Sequence, residues 1–275
     1  MRIALYQART GIDPAANARS LVEAVETAAA GGAAMLFTPE MSGLLDRDRE
    51  RARTHLRGES DDPVLAAVRE AAARWRLWVH LGSLALAGER DDGRLVNRGF
   101  LIDGEGAIRA CYDKIHLFDV DLATGESWRE SAAFAGGDRA VVADTPAGRL
   151  GLSICYDLRF PDLYRALSNA GATLLGVPSA FTVPTGAAHW HVLLRARAIE
   201  AAAFVVAAAQ AGRHEDGRET YGHSLVVDPW GEVLLDMGDE NGVGFADIDR
   251  ERVDEVRRML PVIAHRRPIG DVESM

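Results

Sequence analysis

The sequence GLSICYDLRFP, at residues 151–161, decides the fold and the chemistry expected of this chain. Residues 150–154 have the apolar character of a buried strand, and residues 160–170 have that of a helix with Pro161 near its first turn. Cys155 therefore lies at a bend between a strand and a helix. Such a bend exposes one side chain and directs nearby backbone N–H groups toward it, as a nucleophile requires. The positive end of the helix is also expected to lower the pKa of a thiol there.

A lone cysteine is more often a buried structural residue than a nucleophile, so Cys155 needs support from other parts of the chain. Two other strand ends provide it: TPE at residues 38–40 ends in a carboxylate, and YDK at residues 112–114 ends in an ammonium group. Because rigid scaffolds present reactive groups at strand ends, Glu40, Lys114 and Cys155 are expected to meet at one rim of the sheets. A partly desolvated glutamate can take a thiol proton, and a neighbouring lysine can stabilise an oxyanion.

The composition is that of an acidic globular protein. The chain has 275 residues, 48% of them hydrophobic and 26% charged, and a formal net charge of -10, which argues against nucleic acid and anionic membranes as partners. No apolar run reaches the roughly 18 residues of a membrane-spanning helix, and the N-terminus lacks the pattern of a secretion signal. The only cysteines are Cys111 and Cys155, so no disulfide framework is expected and a cytoplasmic location is predicted.

The order of predicted elements favours an α/β fold. Helices and strands alternate near the N-terminus, whereas a run of strands occupies residues 77–154. A single sheet would leave the excess strands exposed, so two mixed sheets packed face to face, with helices outside, are predicted. No repeat or linker divides the chain, and one domain over residues 1–275 is expected. Predicted helices are residues 15–30, 62–76, 160–170, 188–203 and 249–259, and predicted loops are residues 41–60, 114–137 and 212–222.

Histidine is the usual base for a catalytic cysteine, and the chain has eight histidines. The sequence around Cys155 lacks the Cys-Gly-Ser-Cys-Trp context of papain-like proteases, and no histidine has an associated Asn or Asp signature. His189 and His191 lie two residues apart in a predicted helix, so they point to different faces and are not expected to share a metal ion. A structural role is the expectation for each histidine.

Three segments at predicted strand ends form a recognisable set: PEM at residues 39–41, YDKIHLFD at residues 112–119 and CYDLRFP at residues 155–161. In this order they resemble the nitrilase superfamily of carbon–nitrogen hydrolases. The resemblance runs from residue 2 to about residue 268. It implies a four-layer α-β-β-α sandwich, and by analogy a homodimer formed through outer helices.

The resemblance also implies a catalytic triad, carried here by Glu40, Lys114 and Cys155. The family has a second glutamate in the loop after the lysine. Glu130, which is followed by a serine, matches this position better than Glu126 does.

The mechanism expected from this resemblance begins with Glu40 taking the thiol proton as Cys155 attacks an amide carbonyl. Lys114 and the backbone N–H of Tyr156 hold the oxyanion, ammonia leaves, and a thioester remains. Water activated by Glu40 completes the hydrolysis, with Glu130 orienting Lys114 or that water. No metal or organic cofactor is expected.

Within the superfamily, the chain is most similar to the branch that hydrolyses deaminated glutathione. It departs from this branch at Ala187, where proline is common, and at His191, where an acidic residue is common. Both lie in a helix expected to form the mouth of the site. The similar stretches are PSAF at 178–181, HW at 189–190, LLRARAIE at 193–200, AAAQ at 207–210, GRH at 212–214, YGHS at 221–224, VDPWG at 227–231, LPV at 260–262 and HRRP at 265–268.

Substrate-binding residues are expected close to the nucleophile. Ser179, Phe181 and Thr182 follow a predicted strand end and are expected to line the pocket, to which Tyr156 contributes its backbone N–H. Arg159 could bind a substrate carboxylate, but a structural ion pair is the favoured prediction because buried arginines usually need a partner.

Several alternatives stay open. An omega-amidase acting on 2-oxoglutaramate or an N-carbamoyl amidohydrolase would use the same triad on another small-molecule amide, and a true nitrilase is less favoured. A catalytically silent interaction module is the alternative from another class, and the presence of all three triad residue types argues against it. A thiol protease would depend on a histidine, which is not expected.

Overall fold

The computed structural model of the protein describes residues 1–87, 92–121, 125 and 127–274. The strands are β1 (Arg2–Gln7), β2 (Met35–Phe37), β3 (Trp78–Ala87), β4 (Leu95–Ile102), β5 (Ile108–Asp113), β6 (Asp119–Asp121), β7 (Ser127–Arg129), β8 (Phe134–Ala135), β9 (Val142–Thr145), β10 (Gly148–Leu152), β11 (Leu174–Gly176), β12 (Phe204–Ala207), β13 (Ala211–Arg213), β14 (Glu219–Tyr221), β15 (Leu225–Val227), β16 (Val233–Asp236) and β17 (Gly242–Asp247). The α-helices are α1 (Pro14–Ala30), α2 (Arg49–Arg53), α3 (Pro63–Trp75), α4 (Pro161–Asn169), α5 (Val183–Ala201) and α6 (Glu251–Met259), and the 3-10 helices are Glu59–Asp61, Glu130–Ala132 and Cys155–Arg159.

Two large sheets contain most of the strands. The first has the order β17-β1-β2-β3-β4-β5, with β8 paired to β4, and the second has the order β16-β15-β12-β11-β10-β9. Strands β1, β2 and β3 are parallel to one another, as are β10, β11 and β12, whereas the outer strands pair antiparallel except for β8, which is parallel to β4. Both sheets are therefore mixed, as predicted.

The side chains of β1 and β2 alternate between two apolar cores. Ile3 and Phe37 belong to the core between the sheets, whereas Ala4 and Leu36 belong to the core that the first sheet shares with α1 and α3. This period of two is the one that a strand buried on both faces produces. The first sheet therefore lies between two helices and the second sheet.

The second sheet is covered in the same way. Gly176 of β11 faces His80 of β3, whereas Gly151 of β10 faces Leu167 of α4. The order of layers is helices, sheet, sheet, helices, which confirms the predicted α-β-β-α sandwich. Among the described residues, no helix combines the length and apolar character needed to cross a bilayer.

Two helices begin where a capping signal in the sequence marks them, whereas α2, capped by Asp48, lies inside the predicted loop at residues 41–60. Asp13 and Asp62 cap α1 and α3 by accepting backbone N–H groups, and each is followed by a proline at the first helical position. The helix expected at residues 188–203 instead begins at Val183, also beside a proline. The predicted loop at residues 212–222 contains the hairpin β13–β14, whose short, partly exposed strands leave no apolar alternation in the sequence.

Strand direction brings the ends of several strands to one rim. Two antiparallel steps separate β5 from β3, so β5 and β2 run the same way, as do β10 and β11. Gly82 of β3 lets the chain after β2 approach: a Cβ there would lie 2.1 Å from the carbonyl oxygen of Thr38 and 2.5 Å from that of Pro39. The residues that follow β2 can therefore cross the sheet edge only because position 82 has no side chain.

Candidate active site

Three side chains from separate strand ends meet at this rim. Glu40 follows β2 and Lys114 follows β5 in the first sheet, while Cys155 follows β10 in the second. The Nζ of Lys114 lies 2.8 Å from Oε1 of Glu40. The exposed fractions are 4% for Glu40, 2% for Lys114 and 8% for Cys155. Their charges therefore interact in a site that contains little water.

A second carboxylate holds the lysine from the other side. The Nζ of Lys114 lies 3.0 Å from Oε1 and 2.9 Å from Oε2 of Glu130, and the N–H of Phe118 also donates to Glu130. Burial alone lowers the pKa of Lys114, but the charges of Glu130 and Glu40 outweigh it and raise that pKa well above its ordinary value. Lys114 therefore stays protonated. Glu126, the other glutamate considered, lies outside the described residues.

Asn97 of β4 belongs to the same cluster and was missed in the sequence. Its Nδ2 donates to Oε1 of Glu40 at 3.0 Å and to Oε1 of Glu130 at 3.3 Å. The other oxygen of Glu40 accepts the N–H of Ala180 at 3.0 Å. Both carboxylates are thus fixed by donors besides the lysine. No sequence signal marks Asn97, because a polar residue within a strand usually faces solvent.

The backbone of Cys155 is strained. Its φ is +51°, in the left-handed region that residues with a Cβ rarely adopt. It begins the 3-10 helix Cys155–Arg159, and its N–H donates to the carbonyl of Pro178 at 2.9 Å. The next N–H, that of Tyr156, has no acceptor among the described residues, as is normal in the first turn of a helix. A free donor therefore lies beside the sulfur-bearing residue.

The thiol of Cys155 is not acidified, contrary to the sequence-based prediction. Burial raises its pKa well above the ordinary value, and the negative charge of Glu40 raises it further. The charge of Lys114 and the N–H of Ala180 lower the pKa but are outweighed. The resting thiol keeps its proton and needs a base.

A cavity of about 790 Å³ opens onto this cluster, and all four catalytic candidates line it. Ser179 does not line it: its side chain is fully buried, and its hydroxyl donates to the carbonyl of Val177 at 3.2 Å. The geometry gives Ser179 a structural hydrogen bond instead of access to a ligand. The other residues expected to contact substrate do line the cavity, namely Tyr156, Arg159, Phe181 and Thr182.

Comparison with known proteins identifies the family. Residues 2–258 match the carbon–nitrogen hydrolase family. The chain belongs to this family. It is 40% identical over 242 residues to a deaminated glutathione amidase of Yersinia enterocolitica, which covers 88% of this chain and 84% of that protein. It is also 40% identical over 269 residues to the deaminated glutathione amidase of Homo sapiens, which covers 97% of this chain and 82% of that one.

Solved structures of relatives agree with the fold. The C. elegans NitFhit protein superposes with a TM-score of 0.89 at 40% identity, over 97% of this chain and 65% of that longer one. An amidase from Nesterenkonia sp. AN1, carrying acrylamide joined by Michael addition to its active-site cysteine, superposes with a TM-score of 0.78 at 28% identity, over 95% and 98% of the two chains. This protein is therefore a hydrolase of carbon–nitrogen bonds.

Arg159 of this carbon–nitrogen hydrolase does not form the predicted ion pair. No carboxylate in the described part of the chain pairs with it, and its Nη1 instead lies 3.2 Å from Nδ1 of His189. Its guanidinium lies 5.4 Å from the ring centre of Phe181 and 5.9 Å from that of Tyr156. An arginine with no counter-ion, close to Cys155 in a cavity, is able to bind an anion.

More arginines surround the cavity. Arg47 and Arg218 contact the ring of Trp128, at 5.6 and 5.1 Å from its centre. Arg218 is also paired with Asp216 at 3.1 Å. The arginines that line the cavity are Arg47, Arg49, Arg53, Arg94, Arg129, Arg159 and Arg218. The cavity of this acidic protein therefore carries cationic groups suited to an acidic ligand.

The histidines do not take part in this cluster. Among the described residues that line the cavity there is no histidine. His116, the histidine of the lysine segment, lies 2.7 Å from Oδ1 of Asp157 through Nδ1 and stacks on Phe160 with ring centres 3.6 Å apart. A cysteine–histidine pair of the protease type is therefore not what this geometry supports.

Proposed function

We propose that this carbon–nitrogen hydrolase is an amidase that acts on deaminated glutathione, with Cys155 as the nucleophile. The observation that carries the proposal is the buried cluster of Cys155, Glu40 and Lys114 at the base of an arginine-lined cavity. Relatives that are 40% identical over most of this chain are deaminated glutathione amidases, which supports the substrate.

The charge of deaminated glutathione suits this cavity. The molecule has a 2-oxo acid carboxylate at one end and a glycine carboxylate at the other, and arginine is the preferred partner of carboxylates. Arg159, which has no acidic partner among the described residues, would bind the carboxylate of the 2-oxo acid part. Arg47 and other arginines that line the cavity would attract the glycine carboxylate.

The leaving group follows from the substrate. The amide of deaminated glutathione joins the 2-oxoglutaryl group to the nitrogen of cysteinylglycine. Hydrolysis therefore yields 2-oxoglutarate and cysteinylglycine. The ammonia expected from the sequence would come from an alternative substrate such as the primary amide 2-oxoglutaramate, not from deaminated glutathione.

In the first step, Glu40 accepts the thiol proton while the sulfur of Cys155 attacks the carbonyl carbon. The S–C bond forms, and the electron pair of the carbonyl moves to its oxygen. Protonation removes the negative charge of Glu40 and so weakens the hydrogen bond that it accepts from Lys114. An ammonium N–H of Lys114 then becomes available to donate to the oxyanion. The N–H of Tyr156 supplies the second donor.

In the second step, Glu40 gives its proton to the amide nitrogen and the C–N bond breaks, leaving a thioester on Cys155. A water molecule then loses a proton to Glu40 and attacks the thioester. The C–S bond breaks and the sulfur regains its proton from Glu40. Every step is a proton or acyl transfer, so the reaction itself consumes no electrons and uses no organic cofactor.

Glu130 acts in this scheme as a positioning residue for Lys114. Both of its oxygens contact the Nζ of Lys114, at 3.0 and 2.9 Å. This contact favours the first of the two roles expected for Glu130, the orientation of the lysine, over the orientation of the hydrolytic water.

The experiment that tests the proposal measures 2-oxoglutarate and cysteinylglycine released from deaminated glutathione. Wild type is compared with Cys155→Ala and with Cys111→Ser, a change of the other free cysteine, which does not line the cavity. Turnover that Cys155→Ala abolishes and Cys111→Ser retains supports the proposal. Preference for 2-oxoglutaramate, an N-carbamoyl amino acid or a nitrile in the same assay would replace the substrate. Absence of turnover on all of these substrates would favour the alternative that the protein is a catalytically silent interaction module.

We further propose a cytoplasmic homodimer of single-domain chains. Apolar side chains are exposed on α5 and the adjoining β15–β16 turn, where Val192 is 69%, Ile199 43% and Trp230 53% exposed. A second copy covering this surface would remove it from water. Light scattering is expected to give twice the chain mass, and Val192→Asp to lower it. A monomeric wild type at micromolar concentration would contradict the dimer.

A further inference from the structure

Three side chains with metal-binding atoms meet on the surface away from the cluster of Cys155. The Nε2 of His191 lies 2.9 Å from Oδ2 of Asp236, and the Nδ1 of His223 lies 2.9 Å from Oδ1 of the same carboxylate. All three candidate ligand atoms lie within 4.8 Å of one another. We propose that His191, His223 and Asp236 form a binding site for a divalent transition-metal ion, with Zn²⁺ as the ion this ligand set fits best.

The ligand chemistry supports zinc. Two imidazoles and one carboxylate are a common zinc ligand set, with metal–ligand distances of about 2.0–2.2 Å. A tetrahedral ion at such distances needs ligand atoms roughly 3.3 Å apart. The candidate ligand atoms already lie within 4.8 Å of one another, so small side-chain movements would bring them to this spacing.

The site is largely preorganised by backbone contacts. The N–H of His223 donates to the carbonyl of Gly238 at 2.6 Å, and its own carbonyl accepts the indole N–H of Trp190 at 2.8 Å. Its φ of +55° sets a backbone conformation that few residues adopt, and its ring stacks on Tyr221 with centres 4.4 Å apart. Asp236 is held by the N–H of Gly238 at 3.0 Å. These contacts aim the two side chains at one point before any ion binds.

The exposure of the three side chains is also suitable. The side chains of His191, His223 and Asp236 are 33%, 27% and 34% exposed, so an ion could enter and keep water in its remaining coordination position.

The three proposed ligands lie on separate elements that no local sequence motif links. His191 lies on α5, His223 between β14 and β15, and Asp236 at the end of β16. His191 and His189 were not expected to share a metal ion, and in the structure His189 contacts Arg159 instead. A bound ion would cross-link α5 to the second sheet and stabilise the folded state by an amount that grows with the logarithm of the ion concentration above the Kd.

The test measures binding of Zn²⁺ by isothermal titration calorimetry at pH 7.5. The protein is first treated with EDTA and carries Cys155→Ala, so that zinc cannot bind the nucleophilic thiol. One zinc ion per chain is expected, with an affinity that His191→Asn weakens at least tenfold and His189→Asn, two residues away on the same helix, leaves unchanged.

The same variants give a second readout in the melting temperature. Zinc is expected to raise the melting temperature of the parent and of His189→Asn but not that of His191→Asn, which is on the surface and should fold normally. Asp236→Asn should likewise remove the shift. The proposal is overturned if the Cys155→Ala parent does not bind zinc, or if His191→Asn leaves binding unchanged. The three side chains then serve only as a hydrogen-bonded contact between α5 and the second sheet.

Discussion

The hydroxyl of Tyr112 donates a hydrogen bond of 2.7 Å to Oδ2 of Asp157. The same buried carboxylate accepts the N–H of Ile154 at 2.9 Å and that of His116 at 3.0 Å. Tyr112 and His116 flank the proposed catalytic lysine in the first sheet, while Asp157 lies in the turn of the nucleophile in the second. One carboxylate therefore joins the two halves of the proposed catalytic centre.

Removal of the Tyr112 hydroxyl should lower the free energy of unfolding by about 1–3 kcal/mol, because Asp157 loses a donor in a site that water does not reach. Urea denaturation of Tyr112→Phe measures this. The matched control is Tyr221→Phe, whose hydroxyl has no hydrogen-bond partner among the described residues and whose cost should stay within about 0.5 kcal/mol. Equal losses in the two variants would show that the Tyr112–Asp157 bond is not what stabilises the turn.

The two glutamates beside Lys114 should respond differently to the same substitution. Glu40→Gln removes the proposed base and should lower kcat about 10²–10⁴-fold. Glu130→Gln should lower kcat less, because Glu130 acts through Lys114. It also removes the negative charge that contributes most to the raised pKa of Lys114, so the alkaline limb of its pH–rate profile should move to lower pH. An unmoved limb would reduce Glu130 to a structural role.

Arg159 should determine affinity for the substrate carboxylate. Arg159→Met is expected to raise KM for deaminated glutathione roughly 10–100-fold, the cost of charge-assisted hydrogen bonds, with a smaller change in kcat. Arg195→Met is the control, since Nε of Arg195 donates to the carbonyl of Gly231 and Arg195 does not line the cavity. A substrate whose 2-oxo acid carboxylate is a methyl ester should be insensitive to Arg159→Met. If Arg159→Met raised KM equally for the free acid and the methyl ester, Arg159 would not bind this carboxylate.

The sequence located the proposed catalytic groups because each ends a strand within a short motif. Glu40, Lys114 and Cys155 lie where a buried apolar run meets a polar turn, and this contrast is visible without tertiary information. The layer order followed from the excess of strands. These parts of the fold depend on local pattern, which a single sequence contains.

The parts that were missed depend on register and burial. Asn97 contacts Glu40 and Glu130 because β4 pairs antiparallel with β5 in a register that places Arg98 opposite Asp113. No local sequence pattern predicts this register. The pKa of the Cys155 thiol was predicted in the wrong direction because the helix end is visible in the sequence and the loss of water is not.

Burial of His80 between the sheets should make the fold sensitive to acid. Its ring packs edge-on against Phe37 with centres 5.6 Å apart, and burial lowers its pKa from 6.5 to about 4. Below about pH 6.5 the unfolded chain binds a proton at this residue while the folded chain does not. The contribution of neutral His80 to the free energy of unfolding is therefore fully present above pH 6.5. The free energy of unfolding decreases by about 3 kcal/mol as the pH falls toward 4.

Urea denaturation of wild type and His80→Gln between pH 7 and pH 4 isolates this contribution. The difference in free energy of unfolding between the two proteins should shift by about 3 kcal/mol in favour of His80→Gln as the pH falls, because only wild type has the titrating group. The control is His265→Gln, which replaces an exposed histidine by the same residue type. A difference for His80→Gln that stays constant over this pH range would show that burial does not lower the pKa of His80 in the folded protein.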